Sequence, residues 1–196
     1  MIGYIRQGWL VLLLGLLFGL ALAGVNSWLS PKINENQRLA REQAAVEVVP
    51  GGERAEQVTI DGTAVYRVTD GGGQLVGWGV PASGQGYGDT IRLIVGVNAE
   101  ATELTGFRVV YNQETPGLGN KIVEPDFRGR FESKDASVHL TAVQKVQADD
   151  EIQALTGATI SSQAVADIIH KQLNDTGLLD KLAAGGVPAS QAALEN

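Results

Sequence analysis

A chain of 196 residues holds, once a membrane segment and a tail are set aside, enough for one domain with a real core and not for two. Its 15 Lys and Arg against 22 Asp and Glu give a net charge of -7, so no basic surface is available for a phosphate backbone and nucleic acid is excluded as a partner. The lack of cysteine removes disulfides, thiolate-held iron–sulfur clusters, a thiol nucleophile and a lipoprotein-type anchor, so any redox chemistry must run on an organic cofactor.

From Gly8 to Val25 the sequence reads GWLVLLLGLLFGLALAGV, without a charged side chain. Extended through Trp28 and Leu29 it reaches about the 20 apolar residues that a helix needs to cross a bilayer. Trp9 and Trp28 stand near its two ends, where indoles favour the headgroup region. Ala21-Leu22-Ala23 would serve as a signal-peptide cleavage site, but the apolar run continues past it, so a retained anchor over residues 1–30, in contact with membrane lipid, is the expectation. Arg6 before the segment and Lys32, Arg38 and Arg41 after it give opposing orientation signals.

Pro31 is expected to end that first helix. Residues 31–50 then read as an amphipathic helical stalk, with Leu39, Ala40, Ala44 and Val48 at helical spacing. The soluble domain is placed at 51–182. Short β-type runs at Thr63–Thr69, Gln74–Val80, Ile91–Asn98 and Leu104–Asn112, split by glycine-rich turns, predict antiparallel neighbours. A short helix is expected over Pro125–Phe131 and a clearer one over about Ser162–Leu173, whose Val165, Ile168, Ile169 and Leu173 share a face. Residues 183–196 read as a mobile tail. The fold class is α+β: an N-terminal transmembrane helix, then a twisted antiparallel sheet with packed helices. The only histidines, His139 and His170, are not at metal-ligand spacing, and no metal is expected.

Three segments carry chemical signals. Thr156-Gly157-Ala158-Thr159-Ile160-Ser161-Ser162 precedes the last clear helix. Gly157 and Ala158 let a bulky group approach, and Thr159 offers its hydroxyl beside the open N–H groups of a helix start, where a phosphate would be held. Plain capping of the helix by Thr159, Ser161 or Ser162 accounts for the same residues. Glu114-Thr115-Pro116-Gly117-Leu118-Gly119 is a rigid loop that would serve equally as a ligand contact or as an ordinary turn. Gly84-Gln85-Gly86-Tyr87-Gly88-Asp89 is either a loose hairpin or a means of setting Tyr87 against a flat ring. No strand–GxGxxG–helix or GK[ST] context is present, so neither a dinucleotide site nor a P-loop is read.

In that order and on this length, the apolar N-terminal segment, GQGYGD, ETPGLG and TGATISS resemble the G subunit of the Rnf (Rsx) ion-translocating oxidoreductase. They resemble more distantly the C subunit of the sodium-pumping NADH:quinone oxidoreductase, whose larger insertions this chain lacks. The resemblance implies FMN joined by a phosphoester to Thr159, put there by a separate flavin transferase. It further implies Gly157, Ala158, Ile160 and Ser161 around the phosphate, Glu114, Thr115, Gly117 and Leu118 around the ribityl chain and ring, and Tyr87 as a stacking wall. The domain would face the periplasm from the inner membrane and pass electrons between other membrane and redox subunits, with no catalytic residue of its own. Rival readings are an anchored binding or assembly module without flavin, and a free-standing flavin reductase.

Overall fold

A computed structural model describes residues 2–184 and divides the chain into two units, Met1–Ala40 and Arg41–Asn196. The tail expected at 183–196 lies, from residue 185 onward, outside the described residues.

The first helix, α1, spans Ile2–Glu47 and passes through Pro31. The expected stop at Pro31 is therefore corrected. A proline fixes a φ that is itself helical, but it removes one N–H and crowds the carbonyl four residues back; the cost is local, and the many other bonds of a long helix carry it through. Ser30 donates its hydroxyl to the Asn26 carbonyl at 2.7 Å just before the proline, and Arg38 pairs with Glu35 at 2.9 Å just after it. Within the first unit the apolar side chains from Trp9 to Leu29 are exposed, and the helix is long and apolar enough to cross a membrane. It fits a membrane anchor.

The second unit opens with the last turns of α1 and continues into a five-stranded antiparallel meander in the order β1-β2-β3-β4-β5. The strands are β1 Arg54–Ile60, β2 Thr63–Thr69, β3 Leu75–Gln85, β4 Thr90–Asn98 and β5 Leu104–Tyr111. Strand β1 goes beyond the expected set; it pairs with β2 across Asp61-Gly62, both at positive φ, a two-residue turn that follows the sheet's twist.

Alternation along β4 defines two faces. Ile91, Leu93, Val95 and Val97 point into the main core with Trp78, Val80 and Phe107, where Phe107, Phe127 and Phe131 meet edge to face at 4.9–6.2 Å. Ile94 points the other way, into a smaller cluster with Tyr66, Val68, Ala44 and Ala45 at the end of α1, and Val48 and Val49 just after it. That approach is close because the sheet carries no side chain beneath it: a Cβ on Gly79 would stand 2.6 Å from the Ala45 Cβ, and one on Gly77 2.7 Å from Val49 Cγ1.

On the main-core side lie α2 (Pro125–Arg128) and α3 (Thr159–His170), α3 continuing as a π turn over Lys171–Asp175 before α4 (Leu178–Ala183). Two three-residue strands, β6 Thr141–Val143 and β7 Glu151–Gln153, pair parallel and stand apart from the antiparallel sheet. The architecture is α+β, as its sequence patterning indicates.

Candidate functional site

The chain leaves β7 through Leu155-Thr156-Gly157, turns at Gly157 with φ +78°, and enters α3 at Thr159, three residues earlier than the periodicity predicts. Ala158 occupies the N-cap position and no side chain caps the helix. Capping is therefore not what the hydroxyl residues do here. Ser162 instead accepts from the Leu155 N–H at 3.0 Å and donates to the Ala158 carbonyl at 2.9 Å, tying the loop to the first turn. Thr159 is exposed, at the end of the helix where the backbone dipole favours an anion.

That helix start forms one side of a cleft of about 410 Å³. Gly157, Ala158, Thr159, Ile160 and Ser161 line it from α3; Glu114, Thr115, Leu118 and Gly119 line it from the loop after β5; Tyr87 lines it from the loop between β3 and β4. The volume lies in the range of small-molecule sites, roughly 300–1,000 Å³. Its rim is apolar: Tyr87 is 64% exposed, Ile160 61% and Leu118 45%. Of the residues the sequence points to, only Gly117 stays out of the lining. Gly117 works in the turn itself, at φ +78°, with its N–H donated to Asn120 Oδ1 at 2.8 Å.

Glu114 is the buried polar centre of the wall, 4% exposed. Its Oε2 accepts from the Ser161 hydroxyl at 2.6 Å and its Oε1 from the Gly88 N–H at 3.1 Å. One carboxylate thus fastens all three segments together, a role quite unlike that of a solvated turn residue. Room for it is made by glycine. A Cβ on Gly119 would fall 2.5 Å from Glu114 Oε2 and 2.6 Å from Ser161 Oγ, and one on Gly86 would collide with Glu114 Oε1. Gly119 is the lining residue that sequence reasoning missed, and the second glycine of its loop was the available signal.

Among the residues lining the cleft there is no Lys, Arg or His, and among the described residues no His, Asp and Glu cluster could hold a metal ion. The two histidines are elsewhere, stacked on each other at 4.5 Å, with His139 Nε2 bonded to Asp167 Oδ1 at 2.8 Å.

Comparison with known proteins gives a consistent picture. Residues 86–174 match the FMN-binding domain family, a stretch that begins inside the Tyr87 loop and runs through the end of α3. The chain is 35% identical over 142 residues to the G subunit of the ion-translocating oxidoreductase complex of Methanosarcina acetivorans, covering 68% of this chain and 73% of that protein. It is 33% identical over 147 residues to the G subunit of the proton-translocating ferredoxin:NAD(+) oxidoreductase complex of Clostridium ljungdahlii, covering 75% and 77%. Among solved structures, NqrC of Shewanella oneidensis shares the fold, with a TM-score of 0.57 at 21% identity over 74% of each chain.

Proposed function

Because the chain belongs to the family of G subunits of ion-translocating oxidoreductase complexes, we propose that its cleft carries FMN joined through the phosphate to the Thr159 hydroxyl. Its work is electron transfer as one subunit of a redox-driven, ion-translocating assembly. The N-terminal apolar helix fits attachment to the membrane, which in this reading is the inner membrane, with the domain on its periplasmic or equivalent side. When bound, FMN supplies the capacity to take up and release electrons.

What supports the attachment is the position of Thr159: an exposed hydroxyl on the first residue of α3, facing the cleft, at a helix start that no side chain caps. Open backbone N–H groups and the helix dipole favour a phosphate there. The neighbouring Gly157 and Ala158 keep side chains out of its way. The lining offers no cation to hold a phosphate, and the buried Glu114 carboxylate opposes one, so ionic contacts would retain a nucleotide poorly. A covalent bond solves that retention problem. The apolar side chains of Tyr87, Leu118 and Ile160 suit the flat body of a ring, and water is excluded where they close on it.

Nothing in the lining activates Thr159. Glu114 is engaged by Ser161 and Gly88, and no histidine lines the cleft. In this reading attachment is the task of a separate flavin transferase, with this chain as its substrate.

The test is chemical. Full-length protein made together with a flavin transferase and denatured in acid should keep its yellow colour and show the mass of FMN less one water. Thr159→Val should lose both. A valine variant that keeps the acid-stable flavin overturns the assignment.

A further inference from the structure

We infer that Glu114 sets the redox potential of the cofactor site through its charge, holding the group in the cleft harder to reduce; this rests on the FMN assignment above. The same carboxylate fastens three loops, but a glutamine would serve that purpose. Its amide oxygen would accept one hydrogen bond, and its NH₂ would donate to the Ser161 oxygen. Burying a charge instead is costly unless a partner neutralises it, and among the described residues no cation pairs with Glu114. Its two bonds come from neutral donors, a hydroxyl and a backbone N–H.

Two further observations point to the charge itself. Glu114 is the only carboxylate in the cleft lining, and no Lys or Arg accompanies it there. Gly86 and Gly119 are held free of side chains against its two oxygens, so two loops keep space for this one group. Each electron that reaches the cleft from a redox partner without a proton adds one unit of negative charge, and the same charge leaves when the electron passes on. Glu114 repels the added charge from its buried place in the cleft wall, and this lowers the midpoint potential.

The experiment compares the full-length wild type, Glu114→Gln and Ser161→Ala, each made with a flavin transferase and purified in detergent. Intact mass reports flavin loading, and reductive titration with dithionite against reference dyes gives the midpoint. Glu114→Gln should load flavin and titrate at a higher potential, so that the ratio of reduced to oxidised cofactor at the wild-type midpoint increases about tenfold. Ser161→Ala leaves the carboxylate in place and removes one donor that partly offsets it, so its potential should fall. This opposite sign separates charge from loosening, because loosened loops would move both variants the same way. A Glu114→Gln protein that titrates with the wild type, or a Ser161→Ala protein whose potential rises, overturns the inference. If Glu114→Gln does not load, the Ser161→Ala result decides alone. A wild type without added mass would instead overturn the FMN assignment.

Discussion

Ser161 Oγ donates to Glu114 Oε2 at 2.6 Å, a buried bond between residues 47 apart in the chain. It joins the first turn of the helix that carries Thr159 to the loop that forms the opposite wall of the cleft. Ser161→Ala removes the donor and leaves the carboxylate with only the Gly88 N–H. A buried acceptor left short of a partner costs about 1–3 kcal/mol. Urea unfolding of the detergent-solubilised protein, followed by tryptophan fluorescence, should show that loss.

Gly119 tests the same wall by volume. An alanine methyl there would stand 2.5 Å from Glu114 Oε2 and 2.6 Å from Ser161 Oγ, so the bond between them must open. Overpacking of this kind costs about 1–3 kcal/mol. Gly119→Ala should be destabilised by at least as much as Ser161→Ala and should take up less flavin, measured as the absorbance ratio of flavin to protein after acid denaturation.

The end of α1 sits on the sheet through a glycine window. Gly79→Ala would place a methyl 2.6 Å from the Ala45 Cβ, with the neighbouring Cα at 3.1 Å, so the helix end must lift from the sheet. The cost is again about 1–3 kcal/mol. For a domain of this size a loss of 1 kcal/mol lowers the Tm by roughly 2–4 °C. A thermal melt reads it directly, and flavin at Thr159 should remain, since the cleft is lined by other elements.

Asp135 gives a pH-dependent prediction. The hydroxyl and the N–H of Ser137 both donate to Asp135 Oδ1, at 2.6 and 2.8 Å, and hold its carboxyl below the usual aspartate range. A depressed acid contributes stability that is fully present above its unfolded pKa, about 3.9, and is lost as pH falls through the lower folded value. Ser137→Ala should therefore be slightly less stable than wild type at pH 7, and the gap should close as pH drops below that window. The site is exposed, so the effect is small. Urea midpoints of both proteins across an acid pH series check it.

The parts of this protein that are legible in sequence are those with local causes. The β2 and β4 runs, the face of α3 and the three glycine-bearing segments follow from alternation, helical spacing and turn chemistry. Strand β1, RAEQVTI, is mostly exposed and polar, so its own pattern is weak; the Asp61-Gly62 turn after it was the usable signal. Pro31 misleads because a proline's cost is local while a long helix has many other bonds. Strands β6 and β7 are three residues each, too short for any periodicity. The Glu114–Ser161 bond was hidden for another reason: each residue has an ordinary local explanation, as turn acid and as helix cap, and only the fold brings them together.

The most direct test is where the flavin mass sits. Trypsin should release residues 146–171 as one peptide, containing Thr156, Thr159, Ser161 and Ser162 as the possible attachment points. Tandem mass spectrometry of that peptide, from protein made with a flavin transferase, should place FMN on Thr159. An unmodified peptide, or the mass on any of the other three, would contradict the account.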